Sequence, residues 1–159
     1  MLTIFDSSID FFFFMFPEAD RAYIAFLTSG LTASIALDVE GGLRSSKVKT
    51  VLVTAAAGGT GQFAVQLAKL AGKHVIATCG SREKAALLKR LGADRVVLYK
   101  SESLGEVLRR EYKKGVDLVY DGVGGKMFEA AAANLSVGGK ILVSALSSLL
   151  PLLFISLWQ

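Results

Sequence analysis

From Thr50 onward, short apolar runs alternate with stretches in which apolar positions recur every three or four residues. The runs TVLVTA, HVIATC, RVVLY, VDLVY and GKILVS read as strands at 51–54, 74–79, 95–99, 116–120 and 140–144. Between them, Gln62 to Ala71, Glu83 to Leu91, Leu104 to Tyr112 and Met127 to Leu135 read as helices. The strands are apolar nearly throughout instead of alternating, the pattern of a parallel sheet covered on both faces. The order βαβαβαβαβ therefore predicts an α/β fold, a doubly wound parallel sheet with right-handed crossovers. In the first helix Phe63, Val65, Leu67, Ala68 and Leu70 make the buried stripe, Gln66 and Lys69 face out, and Gly72 supplies the stop. Ser81 is a good N-cap for the second helix and Gly92 its C-cap candidate. Both helices start at the carboxyl end of a strand, the edge where open α/β sheets bind ligands.

Composition alters this picture mainly at the ends. The 159 residues are 52% apolar and 20% charged, and the excess of apolar residues sits in the Phe-rich segment 1–16 and in 141–159, which has no charge at all. The expected division is an atypical hydrophobic segment at 1–19, a nucleotide-binding domain with its junction segment at 20–144, and an atypical hydrophobic tail at 145–159. The first segment has no basic start and carries Asp6 and Asp10, so a secretory signal fits poorly. Pro151 and several serines interrupt the tail, so a membrane span is a worse expectation than burial. The tail is expected to fold back as a helix over the sheet or its open edge. Net charge is +4, with basic residues spread over helical surfaces, which argues against nucleic acid as a partner. Cys79 is the only cysteine, so neither an intrachain disulfide nor a cysteine-based metal site is expected. A reducing, cytoplasmic home follows, with peroxisome and mitochondrion left open.

The chemistry concentrates where the first strand ends. In VLVTAAAGGTGQ the side chains shrink to Ala55, Ala56 and Ala57 and then to Gly58, Gly59, Thr60 and Gly61. The spacing is not the strict GxGxxG fingerprint, but its mechanism is kept: a tight turn, a close-packed helix, and first-turn amides that attract a pyrophosphate. A structural turn would also welcome these glycines; their place on the first strand of a βαβ array favours the phosphate reading and a Rossmann-type domain. No Lys-Ser/Thr pair follows, which excludes a P-loop. At the end of the second strand, where NAD sites place a carboxylate, the chain reads Thr78, Cys79, Gly80, Ser81, Arg82. Ser81, Arg82 and Lys84 suit the additional phosphate of NADP, which a carboxylate would repel. Two plainer readings stand beside this one: Ser81 as a helix cap alone with Arg82 and Lys84 as a solvated face, and Glu83 as a late acid for NAD.

The segments from Val51 to Lys100 together with GVDLVYDGVGG resemble the cofactor domain of the zinc-independent medium-chain dehydrogenases/reductases, the quinone oxidoreductase group and most nearly its oxo-prostaglandin reductase branch. The likeness extends upstream through RAYIAFLTSGLTASIALDVEGGL and downstream to Ser144. It implies NADPH as cofactor and hydride transfer to an enone or a quinone. By position it implies that Thr32 lies near the nicotinamide, and that Gly58, Gly59, Thr60 and Gly61 form the pyrophosphate turn, with Ala57 beside them on the cofactor side by the local reading. It places Ser81, Lys84 and Tyr99 around the adenosine 2′-phosphate, where the local charge pattern adds Arg82, and Val123 and Gly124 in a loop beside the cofactor. Asp121 is expected in that loop with no catalytic role, and no catalytic or metal-binding residue can be named.

The chain also departs from that family. No upstream substrate domain is recognisable before the junction segment, and SALSSLLPLLFISLWQ matches no sixth strand. The expectation is therefore the NADPH-binding domain of an enone or quinone reductase, with a truncated, catalytically inactive nucleotide-binding or partner-binding fragment as the alternative. The edge left at GKILVS invites a homo-oligomer. Membrane attachment through the tail is the less favoured third reading.

Overall fold

The computed structural model describes residues 26–144. The segments 1–19 and 145–159, and the expectations attached to them, lie outside the described residues. The sheet has five parallel strands: β1 (Thr50–Val53), β2 (His74–Cys79), β3 (Arg95–Leu98), β4 (Val116–Asp121) and β5 (Leu135–Val143), in the order β3-β2-β1-β4-β5. A helical segment precedes them, with π-type spacing at Phe26–Gly30 and Ile35–Glu40 and an α-helical piece, α1 (Leu31–Ser34), between. The crossovers are α2 (Gly59–Leu70), α3 (Arg82–Arg90), α4 (Leu104–Glu111) and α5 (Gly125–Ala132). This is the doubly wound α/β sheet that the sequence pattern predicts.

Alternation along each strand separates two cores. Val51 and Val53 of β1, Val75 and Ala77 of β2 and Leu118 of β4 pack with Ala64, Val65 and Ala68 of α2, Leu88 of α3, and Ala33 and Leu37 of the leading helix. Leu52, Ile76, Val97 and Val119 point the other way, onto Leu104, Val107 and Leu108 of α4 and Ala131 of α5. Both faces are covered, which is why the strands read as unbroken apolar runs. Winding runs outward from β1 in one direction to β3 and then from β4 to β5 in the other, so the reversal falls between β1 and β4. The loops after these two strands diverge there, leaving the crevice in which such sheets take ligands.

The helix stops are legible in the sequence. At Gly72 (φ 71°) and Gly92 (φ 99°) the chain enters the left-handed region. Lys73 N–H then reaches the Ala68 carbonyl and Ala93 N–H the Leu88 carbonyl, each at 3.0 Å, the Schellman arrangement that absorbs a helix's last carbonyls. The fifth unit differs from expectation. The helix stops at Ala132, where Asn134 Nδ2 donates to the Ala130 carbonyl (2.7 Å), and Leu135 already belongs to β5. The β4–β5 register jumps from Val116↔Leu135 to Leu118↔Lys140, so residues around Gly138 (φ 77°) bulge out. That excursion breaks the apolar run and hides the strand's beginning. No helix among the described residues is long and apolar enough to cross a membrane.

Candidate functional site: the crevice at the glycine turn

The turn after β1 is built from backbone. Ala55 is the only non-glycine residue with positive φ (46°) among the described residues, and Gly58 N–H closes the turn on the Ala55 carbonyl at 2.8 Å. Gly58 (φ −77°, ψ 172°) caps α2 without any side-chain bond, and Gln62 N–H returns to the Gly58 carbonyl at 3.0 Å. The N–H groups of Gly59, Thr60 and Gly61 find no acceptor among the described residues. Three free amides at the positive end of a helix form an anion seat. Gly61 is required for packing: a Cβ there would collide with the Ala55 carbonyl oxygen and stand 2.8 Å from the Ala56 Cα.

Two recesses meet at this turn and share Ala55 and Gly58. The larger, about 330 Å³, runs toward the end of β2 between Ala57, Thr78, Cys79, Gly80, Lys84, Tyr99, Val123 and Met127. The smaller, about 160 Å³, lies toward β4 between Thr54, Gly59, Thr60, Gly61, Tyr120, Gly122 and Ser144.

The expected residues distribute unevenly between the two. Ala57, Gly58, Lys84, Tyr99 and Val123 line the larger recess, and Gly58, Gly59, Thr60 and Gly61 the smaller. Ser81 lines neither; its Oγ accepts from Lys84 N–H (3.3 Å), so it caps α3 beside the larger recess. Arg82 opens α3 and is exposed. Gly124 (φ 76°) caps α5, its N–H held by Asp121 Oδ2 at 2.9 Å. Thr32 lines neither recess, and its Oγ1 donates to the Thr28 carbonyl at 2.6 Å. The leading helix nevertheless touches the start of α2: Phe26 and Phe63 meet edge to face at 6.1 Å, and Ser29 Oγ stands 3.4 Å from where a Gly59 Cβ would be.

Charge at the larger recess is one-sided. Arg82, Lys84 and Lys100 have no ion-pair partner among the described residues, and no carboxylate lines this recess. The paired charges gather instead around the opposite, amino ends of the strands. There Arg95 bridges Glu102 and Glu111 at 2.8 Å each, and Lys69 meets Asp94 at 2.9 Å. His74 belongs to that end too, with Nε2 2.9 Å from the Tyr112 hydroxyl.

Sequence reasoning missed several lining residues. Thr78 and Cys79 look like ordinary strand interior and Met127 like a helix core position. Gly80 carried no sequence signal either; the requirement for a glycine there is tertiary, because a Cβ would lie 2.9 Å from Tyr99 Cζ. Tyr120 is buried at 1% exposure and donates to Ser144 Oγ at 3.0 Å. Asp121 corrects an expectation: it is the last residue of β4, fully buried beneath the loop instead of standing in it.

The chain folds as a Rossmann-like α/β domain with a crevice where the winding of its sheet reverses. Residues 59–153 match the family described as zinc-binding dehydrogenase, and the chain belongs to that family. It is 57% identical over 127 residues to prostaglandin reductase-3 of Bos taurus, covering 80% of this chain and 33% of that protein. It is 47% identical over 128 residues to a probable quinone oxidoreductase of Leishmania amazonensis, covering 80% and 37%. Among solved structures, a 2-haloacrylate reductase superposes with TM-score 0.71 at 29% identity over 80% of this chain and 39% of that one. A mycobacterial protein solved with NADPH superposes with TM-score 0.69 at 37% identity over 76% and 37%. The chain thus spans about a third of the length of the curated relatives it matches. Despite the family's name, no group of three or more metal-ligating side chains is gathered among the described residues.

Proposed function

We propose that the chain binds NADPH across Gly58 and provides the cofactor side of a reductase acting on enones, such as oxo-prostaglandins, or on quinones. The adenosine half occupies the larger recess, with its 2′-phosphate at Ser81, Arg82, Lys84 and Tyr99. The diphosphate rests on the amides of Gly59, Thr60 and Gly61, and the nicotinamide half enters the smaller recess with Thr32 toward that end. The single observation that carries this reading is the unopposed positive charge of Arg82 and Lys84 at the end of β2. A carboxylate there would bond a ribose 2′-hydroxyl, whereas cations complement a 2′-phosphate.

The substrate class rests on the kinship with prostaglandin reductase-3 and quinone oxidoreductases. Bound NADPH supplies hydride. The chain's own residues position it and exclude water from one side. The test is thermal melting of the full chain against rising NADPH: a midpoint that climbs with concentration supports the reading, and one unmoved at millimolar NADPH overturns it.

A further inference from the structure

Asp121 is a carboxylate with no exposure, and nothing proposed so far uses it. Such a group is costly to bury unless its oxygens are bonded. Its bonds go to one neighbourhood. Oδ1 accepts from Thr54 Oγ1 (2.5 Å) and Val123 N–H (3.3 Å), and Oδ2 accepts from Gly124 N–H (2.9 Å). Thr54 Oγ1, 1% exposed at residue level, in turn accepts from Gly122 N–H at 2.9 Å. Every amide of the loop 122–124 is therefore tied to two side chains that close the ends of the two central strands, β1 and β4. The carbonyls of Gly122 and Val123 accept no bond among the described residues. The loop walls both recesses, Val123 on the larger and Gly122 on the smaller.

We infer that Thr54 and Asp121 are a positioning pair that fixes the loop 122–124, and that Thr54, through Gly122, holds the loop's acceptor-bearing part on the smaller recess for the nicotinamide-ribose half of the dinucleotide. The inference rests on the NADPH reading above. With its amides consumed, the loop has carbonyls to offer, which suit ribose hydroxyls and not phosphate oxygens. Neither side chain needs to touch the cofactor. A glycine-containing loop held at three points loses little freedom when ligand arrives, and that preorganisation is what the pair contributes.

The test compares NADPH with adenosine 2′,5′-bisphosphate, which lacks the nicotinamide-ribose half, on the full chain by calorimetry. Thr54→Val removes the acceptor for Gly122 and one donor to Asp121, while Thr54→Ser restores both. Thr54→Val is expected to weaken NADPH about tenfold, with the bisphosphate and the Thr54→Ser variant each within about twofold of the native values. Asp121→Asn, which turns an NH₂ toward Gly124 N–H, loosens the part of the loop that bears Val123 on the larger recess and is expected to weaken both ligands; if it fails to fold, the threonine pair decides. Equal weakening of both ligands in Thr54→Val, or native NADPH affinity in that variant, overturns the inference. A native chain that binds neither ligand instead overturns the NADPH reading on which it stands.

Discussion

Tyr99 occupies the space that a side chain at Gly80 would need, its hydroxyl oxygen 2.6 Å from where a Cβ would stand and Lys100 Cε at 3.4 Å. The glycine after β2 thus lets an aromatic from the end of β3 cross beneath the rim of the larger recess. Gly80→Ala is expected to swing Tyr99 and Lys100 outward, overpacking a half-exposed site at about 1 kcal/mol and weakening NADPH several-fold. Calorimetric titration and a melting curve check both parts. Unchanged affinity would mean that the position of Tyr99 is immaterial to the cofactor.

Lys84 lines the larger recess and lacks a carboxylate partner among the described residues, so its charge is available to a ligand. Lys84→Met keeps the aliphatic stem and removes the charge. NADPH should weaken about tenfold, the scale of one charge-assisted hydrogen bond, while NADH changes little. Equal losses for the two cofactors would place Lys84 away from the 2′-phosphate.

Gly58 and Gly61 are both glycines of the turn, but their substitutions should fail differently. At Gly58 the backbone is extended and a Cβ would meet only the Ala55 carbonyl oxygen, at 3.1 Å. Gly58→Asp should keep most of the fold and abolish binding of NADPH and NADH alike, because it sets a negative charge at the anion seat. Gly61→Val should lower stability by about 1–3 kcal/mol, since α2 must move away from the Ala55–Ala56 backbone. Urea midpoints and titrations of both variants distinguish the two effects.

The sheet pattern carried the architecture into the sequence, because strands covered on both faces must be apolar throughout and helices covered on one face must be striped. Gly72 and Gly92 announced their helix ends through conformations that other residues resist. The glycine turn and the missing acid after Cys79 were equally local. What stayed hidden depends on tertiary register. The bulge at Gly138 broke the β5 pattern, and Asp121 finds Thr54 only because β1 and β4 pair. No spacing rule links residues that far apart in the chain. Thr32, inferred from kinship alone, stands outside both recesses.

Acid should destabilise the end of the sheet opposite the crevice. Hydrogen bonds from Arg95 and then Arg110 hold the Glu111 carboxyl at about 2, and the Arg95 bond likewise lowers Glu102. Burial pushes Asp117 up, but bonds from Lys49 N–H, Thr50 N–H and Ser136 Oγ outweigh it and leave it below its ordinary 3.8. Carboxyls depressed in the folded state contribute stability that is complete above their unfolded values and is lost as pH falls through the folded ones. For Glu111 that window runs from 4.5 down to about 2. Arg95→Met should flatten the fall of the urea midpoint across this window, whereas an unchanged slope would assign acid lability to other groups.

The most direct measurement is the affinity of the full chain for NADPH against NADH, read side by side from nicotinamide fluorescence at one ionic strength. Unopposed cations at the end of β2 predict NADPH binding at least about tenfold tighter than NADH, with the gap narrowing as salt screens the 2′-phosphate. Equal affinities, or a preference for NADH, would contradict the account at its centre.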